Sequence, residues 1–390
     1  MAELVAPPLS LYVHLPWCVS KCPYCDFNSH ARAGVLPEAA YVQALLADLE
    51  HDLPRVRGRA LSTVFFGGGT PSLFAPASIA AVLAGVRARI ELAAQAEITL
   101  EANPGTVEHG RFGGYRKAGV NRVSLGAQSF DAAQLKTLGR IHGPADTARA
   151  VAELRAAPCD NFNLDLMYAL PAQQPAAARA DVATALALEP THLSHYQLTL
   201  EPGTVFHQRP PPLPDEELVQ QIESTTQSAL SAAGFHRYEI SAWSRPGAEC
   251  RHNLNYWRFG DYLGIGAGAH GKLTDAATQT IVRTVKTRQP REYLERAAAG
   301  RTFGETAEVP PRERPFEFML NALRLPAGFQ YLEFEARTGL DRADLEAPLA
   351  EAAARGLLES TAQGARPTAL GLRFLNDLQA LFLATETRVN

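Results

Sequence analysis

The loop CVSKCPYC places Cys18, Cys22 and Cys25 at CxxxCxxC spacing. Two cysteines could form a disulfide or half a zinc site, but a third leaves one thiol over. Iron-sulfur clusters ordinarily take four thiolates, so three leave one iron open to another ligand. Structural zinc is closed by four ligands, and no nearby fourth Cys or His has suitable spacing, although zinc remains the alternative here. Further along, FFGGGTPS carries Gly67, Gly68, Gly69 and Thr70 directly after an apolar run. Such a triplet lets backbone amides approach a ligand, or makes a tight turn. Glu101, Gln128 and Asp165 stand at the ends of later apolar runs, with Arg140 shortly after the fourth. Cys159 and Cys250 read as packed thiols.

These residues need elements to gather them. Short strand-like runs begin at Leu9, Leu61, Glu97, Arg122, Asn161 and His192, separated by Ala- and Leu-rich segments with amphipathic helical spacing. Six strand-helix units predict an α/β fold with a parallel sheet, either doubly wound or a partial barrel. Both architectures put ligands at the strand ends where the polar residues fall. FHRYEISAW predicts one further strand. The segment from Cys250 to Gly271, dense in aromatics and glycine, predicts a close-packed loop. VPPRERP then opens a tail in which GLDRADLEAPLAEAAARGLLE reads as helix, turn and helix, with a wing at ARPTALGLRF. The predicted division is 1–233, 234–308 and 309–390.

The chain has 390 residues, 46% of them hydrophobic, enough for a substantial core. Five cysteines, three in one cluster, argue against a secreted disulfide framework and for thiols kept reduced. No run approaches a membrane span, so a cytoplasmic protein is expected. The net charge of −4 names no partner. From Thr306 onward nine arginines face twelve acidic residues, so the winged-helix-like tail lacks the basic face that nucleic acid requires.

CxxxCxxC after the first strand, Tyr24 before the third cysteine, GGGTP after the second strand and Glu101 after the third together resemble the radical S-adenosylmethionine enzymes. That resemblance implies a partial (β/α)6 barrel in which Cys18, Cys22 and Cys25 hold a 4Fe-4S cluster. S-adenosylmethionine would then fill the open iron position. YVHLPWC, KCPYCDFNSH, LEANPG, SLGAQSF, LGRIH and NLDLMYALP narrow the likeness to the oxygen-independent coproporphyrinogen oxidase group. The group implies that Tyr12, Tyr24, Gly68, Gly69, Thr70, Glu101, Gln128, Arg140 and Asp165 line the S-adenosylmethionine site. Arg140 would grip the methionine carboxylate with its planar fork.

Two features depart from the decarboxylating members of the group. Phe27 stands where they carry a further cysteine, and the cysteine motif begins within the first twenty residues rather than after a long extension. Both match the group's heme chaperone branch, as does HNLNYW at His252 to Trp257. The resemblance thus implies heme as a ligand, delivery to respiratory hemoproteins at the inner face of the membrane, and room for a homodimer. A histidine beside Tyr256 and Trp257 suits an axial iron ligand against a flat apolar surface. It equally suits a packed aromatic cluster. His252 is the first candidate for the heme ligand and His270 the second. The alternative function is radical decarboxylation of coproporphyrinogen, or other radical chemistry.

Overall fold

The structure, a computed structural model, describes residues 2–105, 110–301 and 303–384. All six anticipated strands are present: β1 (Leu9–Leu15), β2 (Leu61–Gly68), β3 (Leu92–Ala102), β4 (Arg122–Gln128), β5 (Phe162–Tyr168) and β6 (His192–Gln197). They pair in that order, each parallel to the next. The partial barrel follows from the sequence. β1 buries nearly every residue because helices cover one face while the barrel interior covers the other. The helix Glu38–Asp52 shows how the crossover helices pack. It buries Tyr41, Val42, Leu45, Leu46 and Leu49, the i, i+3, i+4 stripe of an amphipathic helix laid on a sheet.

Both edges of the barrel are extended. Beyond β6 an antiparallel hairpin, β7 (His236–Glu239) and β8 (Ala242–Ser244), forms where one strand was expected. Beyond β1 the segment expected to be a loop is instead regular. A helix, Arg251–Trp257, leads into β9 (Asp261–Ile265), which pairs parallel with β1. Its glycines and aromatics hid a strand whose partner lies some 250 residues earlier. β10 (His270–Asp275), β11 (Thr280–Lys286) and β12 (Gly304–Glu308) complete a twelve-stranded sheet as antiparallel neighbours.

Two buried ion clusters fix this added edge. Asp261 meets Arg59 and Lys272, each at 2.8 Å, and accepts from Thr274 N at 2.9 Å. Lys286 meets Asp48 and Asp52, each at 2.6 Å, joining β11 to the helix Glu38–Asp52.

The C-terminal part contains helices Arg314–Ala322, Tyr331–Thr338 and Glu346–Ala354. A small sheet accompanies them, of β13 (Phe329–Gln330), β14 (Leu358–Ser360) and β15 (Gly364–Pro367). The β14–β15 hairpin is the wing, placed slightly earlier than expected. The core of this part includes Phe318, Phe329 and Phe334, and also Leu4 from the N-terminal segment, Phe259 from the turn before β9 and Ile281 from β11. Among the described residues no helix is long and apolar enough to cross a membrane.

Candidate functional site

The C-terminal ends of the parallel strands open into a cavity of about 330 Å³. All three loop cysteines border it, together with Tyr24, Gly68, Gly69, Thr70, Glu101, Gln128, Arg140 and Asp165. The loop is held by two short extended segments, Trp17–Cys18 pairing parallel with His30–Ala31. Cys18 Sγ accepts from Thr70 Oγ1 at 3.5 Å, Cys22 Sγ from Arg140 Nη1 at 3.6 Å, and Cys25 Sγ lies 3.8 Å from Ser29 Oγ. All five cysteines are free thiols. Burial pushes the Cys18 and Cys25 thiols up, whereas thiolates that bind metal are deprotonated. Cys159 and Cys250 are buried away from this cavity.

The glycine triplet works differently from a nest of free amides. Gly68 N donates to Glu101 Oε2 at 3.1 Å, Gly69 N to Leu15 O at 2.9 Å and Thr70 N to Trp17 O at 2.8 Å. With its amides committed, the triplet instead serves close approach. A Cβ on Gly69 would sit 2.6 Å from Trp17 O, and Gly68 adopts φ +117°.

Arg140 is likewise engaged by the protein. Nη2 donates to Gly126 O at 2.9 Å and to Asn103 Oδ1, Nη1 reaches Cys22, and buried Nε alone lacks a partner. The free bidentate fork expected for a carboxylate is absent in this arrangement. Asn103 was missed by sequence reasoning, although it lies within LEANPG. Ser124 and Tyr196 were missed as well: Ser124 Oγ donates to Asp165 Oδ2 at 3.2 Å, and Tyr196 OH donates to Gln128 Oε1 at 2.7 Å.

Glu101 is pushed from its usual range up to about 8, first by burial and then by the neighbouring Asp165. Burial raises Asp165 too, against hydrogen bonds from its neighbours. Two partly buried carboxyl groups and the Arg140 guanidinium therefore line one cavity. Such a site suits a ligand with both cationic and anionic groups, as an amino acid derivative has. The thiol set suits a cluster in which each thiolate binds a different iron. Among the described residues no three His, Cys, Asp or Glu side chains gather around a single metal ion.

A second cavity, of about 580 Å³, adjoins the first across Gly68 and Glu101. Tyr12, expected in the first cavity, lines this one instead, because its hydroxyl turns to His14 Nδ1 at 3.0 Å. Phe27, Tyr256, Trp257, Phe259 and Tyr262 also line it, and Phe27 is 59% exposed.

His252 does not border either cavity, which corrects its reading as a ligand. It is 1% exposed. Thr63 Oγ1 gives its proton to Ser10 Oγ at 2.8 Å, so at 2.7 Å it accepts from His252 Nδ1. His252 Nε2 must then accept from Tyr256 OH at 2.9 Å. Burial first, and then the charge of Arg122, lowers His252 to about 3, leaving it neutral with no lone pair to offer. Its role here is to seat the helix carrying Tyr256 and Trp257.

The comparisons with known proteins agree with this architecture. The Radical SAM superfamily pattern matches residues 12–180 and the HemN C-terminal domain matches residues 309–374. Heme chaperone HemW of Escherichia coli is 51% identical over 378 residues, covering 97% of this chain and 99% of that protein. Heme chaperone HemW of Haemophilus influenzae is 47% identical, with coverage of 97% and 99%. The mouse radical S-adenosyl methionine domain-containing protein 1, mitochondrial, is 36% identical, with coverage of 96% and 87%. The solved structure of E. coli coproporphyrinogen III oxidase, HemN, superposes with a TM-score of 0.81 at 23% identity, over 97% of this chain and 90% of that one, a likeness of fold. This chain belongs to the HemW family of radical SAM proteins.

Proposed function

We propose that the protein is a heme chaperone: it binds heme and passes it to hemoproteins, with respiratory enzymes at the inner face of the membrane as the recipients. The reading assigns Cys18, Cys22 and Cys25 to a 4Fe-4S cluster. It assigns Tyr24, Gly68, Gly69, Thr70, Glu101, Gln128, Arg140 and Asp165 to S-adenosylmethionine. When bound, the cluster and S-adenosylmethionine supply reductive cleavage of a sulfonium bond. The chain's own residues hold and shield that site. Glu101 and Asp165 offer negative charge to a cationic group, Arg140 holds Cys22 and the Gly126 carbonyl, and the closely packed triplet fixes the distance between β1 and β2.

The observation that carries the heme reading is the second cavity. Its volume falls within the roughly 300–1,000 Å³ typical of cofactor sites. Tyr12, Phe27, Tyr256, Trp257 and Tyr262 give it an aromatic lining suited to a porphyrin face. Phe27 also removes the thiol that decarboxylating members of the group carry beside the third cluster cysteine.

The test is to incubate anaerobically reconstituted protein separately with hemin and with coproporphyrinogen. Stoichiometric hemin binding with transfer to an apo-hemoprotein, and no decarboxylation, supports the chaperone reading. Decarboxylation at an enzyme-like rate replaces it with the oxidase reading.

A further inference from the structure

Two side chains at the rim of the aromatic cavity are uncommitted while their neighbours are bound. The cavity is lined by two histidines and three cations: His14, His270, Lys272, Arg283 and Arg288. His14 Nε2 donates to Asn28 O at 2.9 Å, so its Nδ1 accepts from Tyr12 OH and no lone pair remains. Lys272 Nζ is buried against Asp261. Arg283 is held by Tyr262 OH at 2.9 Å and by Glu317. Among the described residues, by contrast, neither ring nitrogen of His270 and no guanidinium nitrogen of Arg288 has a hydrogen-bond partner, and both side chains are exposed.

The backbone places these two groups together. His270 opens β10 opposite Val285 on β11, and Arg288 follows three residues after Val285. The turn before His270 is clamped to the cysteine loop. Asn28 Nδ2 donates to Ala267 O and to Arg288 O, each at 2.9 Å, and a Cβ on Gly268 would meet Asn28 Nδ2 at 2.2 Å. Phe27, next to Asn28, forms part of the same wall.

We propose that His270 is the axial ligand of the bound heme iron and that Arg288 receives a heme propionate. This rests on the reading of the cavity as a heme site and deepens it. Of the two histidines lining the cavity, His270 alone has a free lone pair, and a porphyrin needs a cation at the rim for its carboxylates as well as rings for its face. The bond forms when the imidazole lone pair replaces water on ferric iron, so no electron or proton changes hands. Partial desolvation at the cavity rim first, and then the charges of Arg283 and Arg288, lowers the His270 imidazole, which favours the neutral form that binds metal. The same geometry sets the iron ligand on the edge of the sheet extension rather than on the helix Arg251–Trp257. The heme thereby lies against the wall that the cysteine loop supplies.

The experiment titrates hemin into the cluster-loaded full chain and its variants, reading affinity and the electron paramagnetic resonance signature of axial imidazole. His270→Ala should lose the imidazole signature and bind hemin about tenfold more weakly. His270→Met should bind with a changed axial signature, showing that the position rather than general folding is read. Arg288→Ala should weaken hemin about tenfold yet leave the affinity for hemin dimethyl ester unchanged, because the ester has no carboxylate to lose. Wild-type protein that fails to bind hemin would overturn the heme reading itself. Wild-type binding with an unchanged signature in His270→Ala would overturn the ligand assignment alone. Equal loss of acid and ester in Arg288→Ala would overturn the propionate contact.

Discussion

Glu101→Gln should make the empty protein more stable above neutral pH while weakening its hold on S-adenosylmethionine. Burial and the nearby Asp165 push the Glu101 carboxyl up to about 8 from its usual value of 4.5. A group raised in this way is indifferent below pH 4.5, where folded and unfolded chains both carry the proton. Between pH 4.5 and 8 the unfolded chain releases that proton more readily, so folding loses stability as the pH rises, and above 8 the loss is complete. A displacement of this size is worth at most about 5 kcal/mol. Glu101 faces an open cavity whose water screens part of it, so about 2–3 kcal/mol should be measurable. The variant amide oxygen can still accept from Gly68 N, which keeps the turn in place. Chemical denaturation of the cofactor-free protein at pH 5 and at pH 8.5 is the assay. The variant should gain at most about 0.5 kcal/mol at the lower pH and about 2–3 kcal/mol at the higher one, with affinity for S-adenosylmethionine about tenfold weaker. An identical pH dependence in wild type and variant would refute the burial argument.

Cys25→Ala should abolish the about four irons per chain that anaerobic reconstitution yields, whereas Cys159→Ala should not; iron analysis checks both. Arg140→Lys should weaken S-adenosylmethionine binding measured by calorimetry, because a compact ammonium cannot span Gly126, Asn103 and Cys22 as the two Nη groups of the planar fork do. Lys286→Met should lower the free energy of unfolding by about 3–5 kcal/mol, since it leaves Asp48 and Asp52 buried without their cation. Restoration of most of that loss in Lys286→Met combined with Asp48→Asn and Asp52→Asn would confirm that unpaired charge, rather than lost packing, is the cause.

The barrel and its thiol loop were legible because their signals are local. Each parallel strand is a short apolar run, and CxxxCxxC is contained in one loop. The helix and strand between Arg251 and Ile265 were hidden for the opposite reason. Nothing near them in sequence announces a pairing with β1, and glycines such as Gly264, where a Cβ would meet His270 O at 1.9 Å, look like loop residues until that packing is seen. Residue type was a poor guide to orientation. His252 was expected to face heme and Tyr12 to face S-adenosylmethionine, but the partners that turn them away, Thr63 and Tyr256 for one and His14 for the other, are set by tertiary structure. Asn103 lies inside the LEANPG motif, where Glu101 drew the attention, and Tyr196 carries no motif that distinguishes a site residue from an ordinary polar one. The uncommitted state of His270 and Arg288 depends on the hydrogen bonds of every neighbour, which no local pattern encodes.

β1 lies between β2 and β9, and this bears on how the chain reaches its native state. During synthesis β2 is available soon after β1, but β9 emerges roughly 200 residues after β2. Until then one rim of the nascent barrel presents unpaired amides and carbonyls from an apolar strand, a template for intermolecular association. Such distant pairing also slows folding, because a long loop must close before the contact is made. A fragment ending near residue 233 would contain all six strands of the barrel and still lack the strand that covers this rim. It should aggregate where the full chain stays dispersed.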